Sequence, residues 1–122
     1  MASPIRIDPR ADTVGFDREG RAQRLPAEPD PPTPFAGLVV GFAEMRENAP
    51  HNGERHPDGD EFLLLISGRV RVVFENPAID DVDVNAGDGL IVPAGEWHRV
   101  DILEPCRIVY LTPGPNNEFR PL

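Results

Sequence analysis

A dense group of titratable side chains occupies the short segment GERHPDGDEF, residues 53–62. Imidazole and carboxylate groups are common ligands of divalent metal ions, and this segment offers Glu54, His56 and Glu61. Side chains two positions apart on an extended strand point to the same face, so Glu54 and His56 project together. The turn at residues 57–60 reverses the chain and can bring Glu61 back beside His56. The segment therefore has the composition expected at the rim of a metal pocket.

Another histidine, His98, lies in the later segment WHRVDI. On a strand, His98 shares one face with Val100 and Ile102, whereas Trp97 and Arg99 lie on the opposite face. A side chain that faces inward with two aliphatic neighbours suits a ligand inside a β-barrel. Two histidines and two carboxylates are costly to bury in a small barrel unless they neutralise one another or share a cation.

Each of these residues also has an ordinary structural interpretation. An inward-facing histidine is often a hydrogen-bonded core residue, and Glu54 and Glu61 can be surface acids near a turn. Two further residues are weaker candidates for ligands. His51 could substitute for one of the other histidines, but a loop position explains it as well. Asp60 could replace Glu61, although it lies within the predicted turn.

The segments around these residues read as short strands. In RVRVVFE, for example, Val70, Val72 and Phe74 fall on one face and Arg69 and Arg71 on the other. The chain contains at least seven such strands at regular spacing, with turn signals between them and no convincing helix. This pattern predicts an all-β fold, either a β-sandwich or a β-barrel.

The distribution of proline divides the chain into three parts. We expect an extended, proline-rich N-terminal arm at residues 1–34, a barrel domain at residues 35–112 and a C-terminal tail at residues 113–122. Within the arm, the segments IRID and TVGF are candidates for short edge strands, and LPAEPDPPTP reads as an extended connector. The arm is expected to wrap the domain or to reach a partner subunit.

Two segments resemble the conserved motifs of the cupin superfamily. GERHPDGDEFLLLISG is similar to the first motif, in which Glu61 is followed by six residues and then Gly68. GDGLIVPAGEWHRV is similar to the second motif, which is matched by Gly87, Pro93, Gly95 and His98. The resemblance covers roughly residues 35 to 112, and it implies a cupin-type double-stranded β-helix, that is, a jelly-roll barrel.

The resemblance also implies a metal site. Cupins usually bind a divalent metal through histidines and a glutamate of the first motif and the histidine of the second. Carried over to this chain, the pattern gives His56, Glu61 and His98 as ligands, and it places Glu54 where the family has a further histidine. The implied cofactor is a divalent ion of iron, manganese, nickel or zinc, in a harder and more anionic site. A second departure is Ile102, which stands where the family usually has asparagine.

Composition excludes some classes of partner. The net charge is −9, with 21 acidic residues against 12 basic residues, all of them arginine. Such a surface repels phosphate backbones, so we expect no nucleic-acid partner. No segment has the apolar length of a membrane span or the organisation of a signal peptide. The single cysteine, Cys106, agrees with a reducing compartment, and we expect a soluble, cytoplasmic protein.

Several functions fit these features. The first is a metal-dependent enzyme of the dioxygenase or isomerase type that acts on a small polar ligand, with Glu54 or Tyr110 as possible general bases but no catalytic residue identified. The alternative is a non-catalytic cupin that binds or senses a small molecule, or serves a structural role. The segment FLLLI is apolar on both faces, which favours a homodimer whose second subunit covers one face.

Overall fold

The computed structural model describes residues 3–27 and 33–122, and these residues form nine strands and no helix. In chain order the strands are β1 (Asp12–Phe16), β2 (Ala22–Pro26), β3 (Leu38–Met45), β4 (Glu54–Arg55), β5 (Glu61–Phe74), β6 (Val82–Asn85), β7 (Gly89–Val92), β8 (His98–Pro113) and β9 (Glu118–Phe119). The prediction of an all-β fold is confirmed. Among the described residues there is no helix that is long and apolar enough to cross a membrane.

The long strand β8 organises the sheet. It pairs antiparallel with β5 along most of its length, with β3 over its second half and with β4 at its first residue. Strand β5 in turn pairs with β7 through its first part and with β6 through its second part. Because both edges of the two longest strands are occupied, the sheet curls around an enclosed core.

Inward-facing and outward-facing side chains alternate along β5, and the inward-facing ones form much of this core. The alternation shifts by one residue near the middle of the strand. Leu63 and Leu65 are buried in the first half, and Val70 and Val72 are buried in the second. The pairing with β8 shifts register between Leu65 and Val70, which explains why these two inward-facing residues are five positions apart rather than an even number. The remaining buried apolar side chains of the core are Phe74, Val84, Val92, Cys106 and Ile108.

Gly68 lies where the alternation of β5 shifts, and its backbone conformation permits the shift. Its φ is +82°, a backbone conformation that side-chain-bearing residues rarely adopt. A Cβ atom at this position would also clash with the carbonyl oxygen of Pro105 in β8. Both the backbone conformation and the close approach of β8 therefore require glycine.

Both terminal segments contribute strands to the sheet. The prediction of a strand at TVGF is confirmed by β1, which pairs with β2 and with β3. The prediction of a strand at IRID, residues 5–8, is wrong, because these residues have no strand pairing. The expected connector begins with the last two residues of β2, and its residues 28–32 lie outside the described part of the chain. In the C-terminal tail, β9 pairs with β4.

Candidate metal centre

Three strands deliver the four candidate ligands to one place inside the barrel. Glu54 lies in β4 directly opposite His98, the first residue of β8. His98 is also opposite Phe74 of β5 on its other side. His56 follows β4, and the turn after it leads to Glu61, the first residue of β5. The turn therefore brings Glu61 back beside His56, as expected, but β4 and β5 form no hairpin, because β4 pairs with β8 and β9 and β5 pairs with β6, β7 and β8.

The side-chain ends of the four residues converge closely. The Nε2 atom of His56 lies 3.6 Å from Oε1 of Glu54 and 3.2 Å from Oε2 of Glu61. The Nε2 atom of His98 lies 3.5 Å from Oε1 of Glu54 and 3.3 Å from Oε1 of Glu61. One ligand atom from each of the four residues lies within 4.8 Å of the others, so the group could hold a metal ion.

Burial and hydrogen bonding show that this group fits a metal ion. His56, Glu61 and His98 are buried, yet His56 Nε2, Glu61 Oε1 and His98 Nε2 make no hydrogen bond in the described structure. Neighbouring ligands of a metal with bond lengths of about 2.0–2.2 Å are themselves about 3.0–3.5 Å apart, close to the separations seen here. A buried polar atom without a partner is costly, and a cation between the carboxylates and the imidazoles would satisfy all three atoms.

Both histidines are oriented by a hydrogen bond at their other nitrogen. His56 Nδ1 lies 2.8 Å from Oδ1 of Asn117, and His98 Nδ1 lies 2.9 Å from the backbone oxygen of Glu96. Each partner atom is an acceptor, so Nδ1 carries the proton and donates it. The Nε2 lone pair of each neutral ring then faces the cluster, the arrangement typical of metal-bound histidine.

The two carboxylates differ in their surroundings. Oε2 of Glu61 accepts a hydrogen bond of 2.6 Å from the hydroxyl of Thr112, and both side chains are buried. Oε2 of Glu54 faces Nε2 of His51 at 3.8 Å, and 20% of the Glu54 side chain is exposed. His51 Nδ1 accepts a hydrogen bond from the backbone of Gly53. Glu54 is thus the most accessible member of the cluster.

The cluster shifts the pKa values of its members. Burial alone would lower the pKa of both histidines, but the adjacent carboxylates raise it to about 10 for His56 and about 9 for His98. Burial alone would raise the pKa of Glu54, but the two histidines lower it to about 2. The pKa of Glu61 is also lowered, against its burial, by His56 and His98. In metal-free protein these shifts favour protonated histidines beside ionised carboxylates.

The weaker candidates lie outside this group. Asp60 is exposed, and its Oδ1 accepts a hydrogen bond from the backbone of Ala94 across the turn. His51 lies beside the outer oxygen of Glu54 and is not part of the converging set. Cys106 is buried in the apolar core, and Tyr110 packs against that core. The ring of Tyr110 occupies the space in which Gly41 has no side chain.

Two residues that hold the ligands are absent from the sequence prediction. Thr112 is the last of the inward-facing residues of β8. Its spacing of two residues from Tyr110, and through it from Ile108 and Cys106, could have predicted that its side chain faces the interior. Asn117 lies in the segment interpreted as a polar tail. Its contact with His56 depends on the pairing of β9 with β4, which no local pattern reveals.

Comparison with known proteins agrees with this geometry. The sequence profile of the Cupin domain matches residues 41–112, more than half of the chain. No curated protein matches the chain at a significant level.

Solved structures share the fold at low identity. A cupin-2 domain protein from Shewanella frigidimarina has a TM-score of 0.55 and 19% identity over 72% of this chain and 84% of its own. An uncharacterised protein with a double-stranded β-helix domain from Klebsiella pneumoniae has a TM-score of 0.56 and 20% identity over 79% of this chain and 91% of its own.

A mutant of Bacillus subtilis oxalate decarboxylase has a TM-score of 0.57 and 19% identity, but the similarity covers 69% of this chain and only 24% of that protein. At such identities the structural similarity shows the fold alone, whereas the profile match covers both motif regions. The predicted double-stranded β-helix is therefore confirmed, and the chain belongs to the cupin domain family.

Proposed function

We propose that this cupin binds a divalent metal ion through Glu54, His56, Glu61 and His98. The observation that carries the proposal is the convergence of His56 Nε2, Glu61 Oε1 and His98 Nε2, three buried atoms without hydrogen-bond partners. The Nδ1 atoms of both histidines are already satisfied by acceptors, so the free lone pairs point into the cluster. Iron, manganese, nickel and zinc all accept this mixed set of nitrogen and oxygen ligands.

Charge balance supports the assignment of Glu54 as a ligand. Two carboxylates and two neutral imidazoles around a divalent cation have no net charge, which lowers the cost of burying the ion. Histidine at position 54 would leave one positive charge in the same place. The carboxylate therefore makes a neutral site, and it favours harder metals such as manganese and iron over softer ones.

The exposure of the four side chains indicates the side from which a ligand would reach the cluster. Three of the four side chains are buried, and Glu54 is the one with appreciable exposure. We propose that a small, polar, oxygen-rich molecule or dioxygen reaches the site past Glu54. A metal bound there would supply Lewis-acid or redox chemistry of the kind used by dioxygenases and isomerases. Glu54 would hold or move a proton at its outer oxygen, and the buried walls would exclude water.

A non-catalytic role is the second candidate, and one observation favours it. In the absence of metal, protons can neutralise the cluster, because the pKa values of His56 and His98 are raised by the two carboxylates. A cluster of this kind could serve in ligand binding or in structure without any metal.

The chain is also proposed to form a homodimer through the outer face of the sheet. Phe62 pairs with Ile91 across β5 and β7, and Ile66 follows on the same outward face of β5. Ile66 and Ile91 are 53% and 63% exposed, unusually high values for large apolar side chains on a sheet. A second copy of this face would cover both side chains.

Metal content after reconstitution tests the metal-site proposal. The wild-type protein is loaded with iron, manganese, nickel or zinc, desalted and measured by elemental analysis, beside Glu54→Gln and His98→Gln. We expect about one metal ion per chain in the wild type and a clear loss in both variants. Asp60→Asn is the matched control, because it alters a nearby carboxylate outside the cluster and keeps the oxygen that Ala94 contacts.

Retention of metal by both cluster variants would contradict the assignment of these ligands. A wild-type protein that takes up none of the four metals would overturn the metal-site proposal in favour of the non-catalytic role.

A further inference from the structure

The C-terminal segment lies directly against the strand that carries two of the candidate ligands. Strand β9 pairs with β4, with Phe119 opposite Glu54 and Glu118 opposite Arg55. The backbone of Arg120 extends this contact, since it donates to the oxygen of Gly53 and accepts from the nitrogen of Asn52. Strand β4 is only two residues long, and it touches β8 through a single residue pair. The position of β4 therefore depends also on its pairing with the C-terminal segment at its other edge.

Side chains on both sides of Asn117 anchor this segment. The backbone and side-chain nitrogens of Asn116 donate to the carboxylate of Asp58 at 2.7 and 3.0 Å. Arg55 donates two hydrogen bonds to Glu118 at 3.0 and 3.1 Å. Exposed contacts of this type contribute little stability individually. Together they fix the register that places Asn117 beside His56.

Among these contacts of the C-terminal segment, the one made by Asn117 involves a candidate ligand, His56. Its Oδ1 lies 2.8 Å from His56 Nδ1, and the His56 side chain is only 4% exposed. An imidazole held in this way keeps its proton on Nδ1, and its ring cannot rotate without leaving a buried N–H unsatisfied. The contact therefore determines both the tautomer and the direction of the Nε2 lone pair.

We infer that Asn117 is a positioning residue for His56, and that the C-terminal segment is a working part of the metal centre. The inference rests on the proposed metal-binding function. Loss of a hydrogen-bond acceptor to a metal-bound histidine typically lowers metal affinity 10–100-fold. The same loss is expected when Asn117 is replaced by an apolar residue of similar size.

The test compares Asn117→Leu with the conservative variant Asn117→Asp and the control Asn116→Leu. Metal affinity is measured by competition with a chelator, using manganese and zinc as probes. We expect Asn117→Leu to bind about 10–100-fold more weakly, whereas Asn117→Asp, which keeps the acceptor, stays within a few-fold of wild type. Asn116→Leu removes one side-chain anchor but leaves the backbone donor of Asn116, the contact of Arg55 with Glu118 and the pairing of β9 with β4, so it is also expected to stay near wild type. Thermal unfolding shows whether each variant is folded.

A second measurement uses metal-free protein and does not depend on metal binding. The Nδ1–H of His56 should give a slowly exchanging proton resonance in the NMR spectrum of the wild type. This resonance should be lost in Asn117→Leu and kept in both other variants. A folded Asn117→Leu protein with wild-type affinity, or an equal loss in Asn116→Leu, would overturn the inference while leaving the metal site intact. Failure of the wild type to bind metal would instead overturn the proposed function, and the resonance alone would then decide whether Asn117 holds His56.

Discussion

At Glu54 the chain exchanges an imidazole of the usual cupin ligand set for a carboxylate, and the neighbouring residues fit that exchange. His51 faces its outer oxygen, and the Nε2 atoms of His56 and His98 face its inner oxygen. The resulting cluster is neutral in two states, one with two histidine protons and one with a divalent cation. The proposed metal binding would then exchange two protons for one divalent ion.

Proton release is the first prediction at the scale of residues. Because the pKa values of His56 and His98 are raised to about 10 and about 9, both rings are protonated at pH 7 in the metal-free protein. Binding of one metal ion should therefore release about two protons. Titration calorimetry in buffers of different ionisation enthalpy measures this number. A binding heat that is independent of the buffer would contradict the prediction.

The second residue-scale prediction concerns the stability of the metal-free protein. Both histidines have a higher pKa in the folded chain than the value of about 6.5 expected when it is unfolded. Their protonation therefore contributes fully to stability below about pH 6.5, and the contribution is lost as the pH rises towards 9 to 10. Urea unfolding of metal-free protein should show stability falling over this range. His98→Gln should flatten the fall, and an equally steep fall in that variant would contradict the assignment.

At the scale of elements, the short strand β4 depends on pairing with β8 and with β9. The candidate ligands Glu54, His56 and Glu61 could be predicted from sequence, because they lie close together around one turn. His98 could be predicted from its inward position on a strand. Asn117 could not, because its role arises from the pairing of two short strands distant in sequence. The shift in alternation within β5 could not be predicted either, because a β-bulge interrupts the two-residue periodicity on which the prediction of a strand depends.

The prediction at the scale of elements concerns the stability cost of replacing Gly68. Gly68→Ala should destabilise the fold by roughly 2–4 kcal/mol, through its positive φ and the carbonyl of Pro105 that lies where the Cβ would be. Gly87→Ala is the matched control, because Gly87 has a φ of +92° but no atom within 4 Å of the place that a Cβ would take. It should cost only about 1–2 kcal/mol. Thermal and urea unfolding measure both values, and equal costs would show that the close approach of β8 has no effect.

At the scale of the whole molecule, the inner and outer faces of one sheet differ in composition. The inner face of β5 and β8 carries most of the core and two of the candidate ligands, Glu61 and His98. The outer face carries the exposed apolar residues Ile66 and Ile91. Since the net charge of −9 makes two copies repel each other, apolar burial must provide the attraction in a dimer.

The prediction at the scale of the whole molecule concerns the oligomeric state after charges are introduced on this outer face. If the chain forms the proposed dimer, Ile66→Asp combined with Ile91→Asp should convert it to a monomer in analytical ultracentrifugation. Ile5→Asp is the control, because Ile5 is similarly exposed, at 59%, but lies before β1 in the N-terminal segment. Sedimentation of the double variant as a dimer would contradict an interface on this face.

The most direct test of the metal centre is anomalous diffraction from crystals of the reconstituted protein, recorded on both sides of the absorption edge of the metal. We predict one strong peak inside the barrel, about 2.0–2.3 Å from Nε2 of His56, Nε2 of His98 and a carboxylate oxygen each of Glu54 and Glu61. A peak bound by the other three residues alone would remove Glu54 from the ligand set. No peak at this cluster, in protein shown to be folded, would contradict the metal centre itself.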